Sequence, residues 1–176
     1  MAALDNQPLS SMLLHVPVVL RLAEQSDLPK LEWYGQYTHF RTLFRRTFRE
    51  QQRGKRLMIV ADCNDFPIGQ VFVQLTPGER AYLYALRVME MFRGQGIGTA
   101  LIAEAERLAT GRSIYRATIA AAKDNPRARE LYERQGYQVY ADDPGYWSYV
   151  DHKGVNQFVH EPCWLLEKRL PLRYND

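Results

Sequence analysis

Between Leu83 and Leu108 the chain reads LYALRVMEMFRGQGIGTALIAEAERL, and this stretch restricts the fold more than any other. Leu83–Val88 is a short apolar run suited to a buried strand. Arg93–Gly98 (RGQGIG) carries glycines at alternate positions 94, 96 and 98. From Thr99 to Leu108, apolar Leu101, Ile102, Ala105 and Leu108 recur at the spacing of an amphipathic helix. A strand, a glycine turn and a helix start together make an anion site, because the first N–H groups of a helix are unpaired and carry partial positive charge. Glycine lets the backbone approach a phosphate without an intervening Cβ. Each glycine costs about 0.5–1 kcal/mol in backbone entropy relative to alanine, and three exceed what a tight turn needs. A ligand-free turn is the plainer alternative. The pattern is not a P-loop, since no Lys follows the glycines, and it misses the dinucleotide fingerprint because Thr99 stands where the third glycine belongs.

The rest of the chain reads around that stretch. Val18–Leu22 predicts a first strand. Ser26, Asp27 and Pro29 are helix-start chemistry, and a helical region is expected to about Arg53, broken near Gly35 or Thr38. Arg56–Cys63 and Pro67–Leu75 read as a hairpin about Asn64-Asp65-Phe66. Tyr82–Val88 follows the Pro77-Gly78 turn. Beyond the glycine turn come a strand at Ser113–Ala121, a helix from Asn125 to Gln135 closed by Gly136, and a strand at Tyr137–Tyr140. Asp142–Pro162 is loop-rich and aromatic with one strand at Tyr146–Val150, and Cys163–Leu170 closes the sheet. This order predicts an α/β domain over residues 18–170, a mixed sheet with helices on its faces. Residues 1–17 and 171–176 read as tails.

A formal charge of +3 on 176 residues argues against a nucleic-acid binder. Cys63 and Cys163 stand far apart without a CxxC, which indicates neither a disulfide framework nor a metal site and fits a reducing, cytoplasmic setting. The apolar patch Met12–Leu20 is interrupted by His15 and Pro17. It is too short to span a bilayer and lacks a basic start, so no signal peptide or membrane association is expected.

One strand beyond the glycine turn lies AAKDNPRARELYERQGY, Ala121–Tyr137. With Arg93, Gly96 and Gly98, and with Asn125, Ala128, Leu131-Tyr132 and Gly136-Tyr137 at this spacing, residues 18–140 resemble the GNAT superfamily of acyl-CoA-dependent N-acyltransferases. The opening Arg21-Leu22-Ala23 through Asp27-Leu28-Pro29 is similar to the family's start. The resemblance implies a mostly antiparallel central sheet flanked by helices on both faces and splayed at the acyl-CoA site. It implies acetyl-CoA as donor and a primary amine as acceptor, on a small molecule, peptide or protein. No metal is implied, and the sequence is compatible with a homodimer. Backbone N–H groups of Arg93, Gly94, Gln95, Gly96, Ile97, Gly98 and Thr99 would hold the pyrophosphate, with the Arg93 side chain either adding charge or facing solvent. Leu86 and Val88 would pair with pantetheine as an added strand, and the Val88 N–H would polarise the thioester carbonyl. Asn125 would bond the pantetheine arm, cap its helix, or both.

The resemblance also implies direct attack by the amine, with Tyr132 protonating the leaving thiolate; otherwise Tyr132 is an apolar helix residue beside Leu131. An alkyl amine of pKa about 10 must shed a proton to attack. Some family members use a carboxylate on the strand before the glycine turn, but Tyr82–Val88 has none. That leaves a water chain, a backbone carbonyl or a group from elsewhere, with Glu32, Glu79, His152, His160 and Glu161 as candidates. That missing acid also leaves room for a second reading, a non-catalytic GNAT-like domain that binds acyl-CoA as a sensor or interaction module. Trp33, Tyr34, Tyr37, His39 and Phe40, with Tyr146, Trp147 and Tyr149, either frame the acceptor or pack in the core. Arg41, Arg45 and Arg49 share a helix face that either attracts an anion or is simply solvated.

Overall fold

A computed structural model of the protein describes residues 10–171. In chain order its strands are β1 (Val19–Leu22), β2 (Arg56–Cys63), β3 (Phe66–Thr76), β4 (Arg80–Val88), β5 (Arg116–Ala122), β6 (Gln138–Asp143), β7 (Tyr146–Val150), β8 (Asn156–His160) and β9 (Cys163–Arg169). The helices are α1 (Arg41–Gln52), α2 (Ile97–Thr110) and α3 (Pro126–Arg134). Seven strands form one sheet in the order β1-β2-β3-β4-β5-β9-β6, while β7 and β8 pair separately as a hairpin. Within the large sheet only β4 and β5 run parallel. This is the mixed, mostly antiparallel architecture expected.

Both faces of the sheet are covered, which is why β2 reads as a continuous apolar run rather than an alternating one. Leu57, Ile59 and Ala61 join the core beneath α2 and α3, with Leu101, Ile102, Ala105 and Tyr132. Their neighbours Met58 and Val60 point the other way, to Phe44 of α1 and to Phe40 and Phe72. The β2–β3 turn places Asn64 and Asp65 at φ +52° and +61°. Left-handed backbone at both central residues matches the right-handed twist of the strands, so the hairpin is a two-residue one and Phe66 belongs to β3.

The region before β2 departs from expectation. Residues 27–53 are not one broken helix. Short 3₁₀ turns at Gln25–Asp27, Lys30–Glu32 and Thr38–Phe40 precede α1. Trp33, Tyr34 and Gly35 all have positive φ (42°, 56° and 98°), which no helix tolerates. Trp33 is held there by burial and by its indole N–H, which donates to the Pro67 carbonyl at 2.8 Å. Asp27 does not extend a helix either. Its fully buried carboxylate accepts two hydrogen bonds from Arg21 and one from the Glu24 N–H. Smaller shifts occur elsewhere: α2 starts two residues before Thr99, and β6 begins at Gln138 and runs on to Asp143. β8 was not anticipated. Residues 10–18 form neither helix nor strand; the tail residues 1–9 and 172–176 lie outside the described residues.

Candidate active site

The β4–β5 pairing is short. Only Ala81, Leu83 and Tyr82 between them match Ala117–Ile119, after which the two strands part. Tyr84–Val88 therefore has a strand partner on one side alone, β3. The register with β3 slips between Gln70 and Phe72, where β4 bulges. Ala85 sits in that bulge at φ +51°, a conformation costing about 1–2 kcal/mol in a residue with a Cβ. Gln70, 1% exposed, donates from its side-chain amide to the Ala85 carbonyl at 3.3 Å.

Beyond the bulge the ladder resumes. Met89 N–H donates to the Ile68 carbonyl at 2.8 Å. The neighbouring Gly69/Val88 pair is then of the non-hydrogen-bonded kind, and its backbone groups point outward. The Val88 N–H is directed away from β3, into the wedge left by β5. The Val88 carbonyl accepts instead from Arg93 Nε at 3.0 Å. Arg93 thus ties the loop to the strand end from an exposed position. Leu86 and Val88 turn their side chains to the core on the α2 side.

The glycine turn leads directly into α2. Gly94 and Gly96 have φ of +75° and +81°, and nothing lies within 4 Å of where a Cβ would project at either. Gly96 is the N-cap of α2 and supplies no side-chain cap. The first intrahelical bond runs from Ala100 N–H to the Gly96 carbonyl at 3.0 Å, so the N–H groups of Ile97, Gly98 and Thr99 have no helical acceptor. This is a cradle of free donors in open space at the positive end of a helix, suited to an anion. Gly98 has a different reason to be glycine. A Cβ there would lie 3.5 Å from Leu131 and 4.0 Å from Val88, so α2, α3 and β4 converge on it. Gly69 was not singled out by sequence, although a glycine inside a strand signals close approach. A Cβ on it would press within 3.2 Å of Ile97 and 3.3 Å of Leu101.

Tyr132 follows Leu131 on α3 and is 6% exposed. Burial pushes its hydroxyl up to about 12, nearby Tyr82 adds to the shift, and no hydrogen bond opposes it. The group keeps its proton at any ordinary pH. Asn125 caps α3, its side chain accepting from the Ala128 N–H at 3.2 Å. Of the candidate bases, Glu32 is bound by Arg41 and Thr38, and the Arg41 hydrogen bond holds it below the usual carboxylate range. Glu79 lies at the far end of β4, about 30 Å of extended chain from Val88. His152, His160 and Glu161 are exposed, and His160 stacks on Tyr146 at 4.4 Å. The Cys163 thiol donates to the Glu161 carbonyl, and burial pushes it up to about 11, far from a nucleophile's range. No group of three or more His, Cys, Asp or Glu among the described residues is placed to hold a metal ion.

The two aromatic segments meet. Phe40 lies 4.9 Å from Tyr149 and 6.4 Å from Trp147, and His39 lies 4.1 Å from Phe40. Burial, with Arg87 nearby, keeps the His39 imidazole below its usual pKa and hence neutral. Trp33 by contrast is core, and Tyr34 is exposed against Phe66. Arg45 and Arg49 are exposed on α1, a solvated face.

The profile of the acetyltransferase (GNAT) family matches residues 22–137. Comparison with curated protein sequences gives no match. Among solved structures, the ribosomal-protein-S18-alanine N-acetyltransferase from Escherichia coli superposes with a TM-score of 0.68 at 19% identity, covering 91% of this chain and 98% of that one. The ribosomal L7/L12 alpha-N-protein acetyltransferase RimL, in complex with coenzyme A, gives 0.67 at 18%, covering 89% and 98%. NAA60 from Arabidopsis thaliana, in complex with a bisubstrate analogue, gives 0.65 at 19%, covering 89% and 100%. At these identities the structures share the fold.

Proposed function

The chain belongs to the GNAT acetyltransferase family, and on that premise we propose that it transfers an acetyl group from acetyl-CoA to a primary amine by direct attack. One observation carries this reading: the unpartnered Val88 N–H opens into the same wedge that α2 approaches with its uncapped, glycine-led N-terminus. The first is a donor for a thioester carbonyl and the second a cradle for a pyrophosphate. The RimL structure holds coenzyme A on the same fold.

Each residue then has one task. The N–H groups of the Arg93–Thr99 loop bind the diphosphate. The exposed backbone of Leu86–Val88 aligns the pantetheine arm, and Asn125 has its amide nitrogen free for that arm while its oxygen caps α3. The Val88 N–H stabilises negative charge on the carbonyl oxygen as the amine nitrogen attacks. A C–N bond forms and the C–S bond breaks. Tyr132 gives its proton to the departing sulfur, the nitrogen loses one to water, and solvent restores the phenol. Two free thiols fit a cytoplasmic setting.

The test is binding followed by turnover. Acetyl-CoA raises the melting temperature while ATP and NAD do not; equal shifts with all three would sink the donor assignment. Thiol release from acetyl-CoA with amines, amino acids, peptides or aminoglycosides marks an enzyme. Tight donor binding with no release in any arm would favour the sensor reading.

A further inference from the structure

Arg87 stands between Leu86 and Val88, and the alternation of the strand turns its side chain away from theirs. It reaches the α1 side, where its guanidinium lies 4.4 Å from the centroid of Tyr37 and 4.9 Å from that of Phe40. Phe40 in turn packs on Tyr149 and Trp147 of the hairpin. The cation therefore sits on an aromatic wall built from two distant segments, one residue from the backbone N–H assigned to the reacting carbonyl.

What distinguishes Arg87 is partial burial without an anion, for Arg45 and Arg49, which also lack a carboxylate partner among the described residues, are exposed. Arg21, Arg41, Arg56, Arg107, Arg116 and Arg129 each pair with a carboxylate. Arg87 makes no ion pair and donates no side-chain hydrogen bond among the described residues. Glu161 acts on it only at a distance, with His39 and Tyr37 as its other titratable neighbours. It is nevertheless partly buried. A shielded cation is costly without a partner, and ring faces offset only part of that cost. Stacking occupies the flat faces of a guanidinium and leaves its N–H edge free, the edge that matches a carboxylate with two parallel hydrogen bonds.

We propose that Arg87 is the anchor for a carboxylate on the acceptor, so that the acceptor is a primary amine bearing a carboxylate close by. Two sources share that chemistry: a free amino acid, and a peptide with an acidic residue near its amino terminus. The assignment rests on the transferase reading above. It also bears on the chain's lack of an acid on β4. Paired with the carboxylate, the guanidinium offsets the negative charge that would otherwise favour the ammonium form of the neighbouring amine.

The experiment is thiol release from acetyl-CoA by wild type, Arg87→Met and Arg87→Lys, with matched acceptors. One arm pairs amino acids with their α-amides. The other pairs peptides having Asp or Glu at the second position with their Asn or Gln counterparts. Wild type favours the carboxylate member of at least one arm by about tenfold or more in kcat/KM, and that arm identifies the source. Arg87→Met falls to near parity, and Arg87→Lys keeps part of the preference. Parity in wild type, a preference that survives Arg87→Met, or no turnover of any carboxylate acceptor by donor-saturated wild type overturns the proposal. An acetyl-CoA melting shift retained by Arg87→Met shows that the variant is folded and donor-competent. Turnover without carboxylate preference removes the Arg87 assignment and leaves the transferase reading standing, whereas failure of wild type to bind acetyl-CoA removes both.

Discussion

The side chain of Gln70 on β3 holds the main chain of Ala85 on β4, its amide donating to the Ala85 carbonyl at 3.3 Å where the backbone is left-handed. A buried polar side chain is thus committed to the one strained residue of the strand that faces the wedge. Gln70→Leu keeps the volume and removes the donor. It is expected to lower stability by about 1–3 kcal/mol, read from the urea midpoint, and to raise the KM for acetyl-CoA as the end of β4 loses its setting. An unchanged midpoint and KM would show that the bulge holds itself.

Tyr132→Phe removes the proposed proton donor and keeps the ring. The expected outcome is a kcat lower by about a hundredfold with the KM for acetyl-CoA little changed. The wild-type pH profile carries a second check. An acid acts while protonated, and burial holds Tyr132 protonated up to about 12. The rate should therefore rise with pH as the amine deprotonates, with no descending limb below about pH 10. A fall beginning near neutrality would assign the acid elsewhere.

At Gly96 the two costs of a side chain separate. The left-handed φ of +81° makes any other residue strained, by about 1–2 kcal/mol, yet no atom stands within 4 Å of a new Cβ. Gly96→Val is expected to stay folded and to lose the melting shift given by acetyl-CoA. Retained binding would refute the backbone cradle.

Asp27 links stability to pH. Burial opposes its ionisation, but the hydrogen bonds from Arg21 and the Glu24 N–H outweigh burial and depress its pKa. A depressed carboxylate stabilises the fold above its ordinary range, and that contribution disappears as pH falls through the folded value. Asp27→Asn should cost about 3 kcal/mol near neutrality, with the gap to wild type closing in strong acid. A gap independent of pH would mean that packing rather than charge holds the Arg21–Asp27–Asp62 cluster.

Gly145 has φ +72°, and a Cβ on it would fall 1.7 Å from the Glu161 carbonyl oxygen. The same pair is joined by a bond from Glu161 N–H to the Gly145 carbonyl at 2.9 Å, closing the base of the β7–β8 hairpin. Gly145→Ala must displace that hairpin and with it Trp147 and Tyr149. The expected signature is a lower kcat/KM for the acceptor with donor binding unchanged; loss of both together would tie the hairpin to the donor side instead.

Local chemistry made much of this legible. Apolar runs marked β2, β3 and β4, the glycines marked the entry to α2, and Asn125 marked the start of α3. Each of these signals lies within a few residues of the structure that it specifies. The failures have nonlocal causes. Trp33 and Tyr34 accept left-handed backbone because a buried indole bonds to Pro67, far along the chain. Nothing near Cys163 tells that β9 inserts between β5 and β6. At the expected site Val88 and Leu131 close on Gly98, but Gly69 and Gln70 of β3 press on Ile97 and hold Ala85. Arg87 looked like a strand residue until Tyr37 and Phe40 came to lie beneath it. β8 was hidden because an exposed NQFVH reads as loop until its partner is known.

The three-residue pairing of β4 with β5 leaves two inner strand edges facing each other across a gap. Unpaired edges invite foreign strands, and proteins blunt them with bulges, inward charges and short lengths. β4 bears all three past Leu83: a bulge at Ala85, a cation at Arg87 and only five residues before the chain turns away. The irregularities that leave its backbone unpaired beside the wedge are those that discourage adhesion between copies, so one set of residues both opens the sheet and keeps the opening from joining another chain.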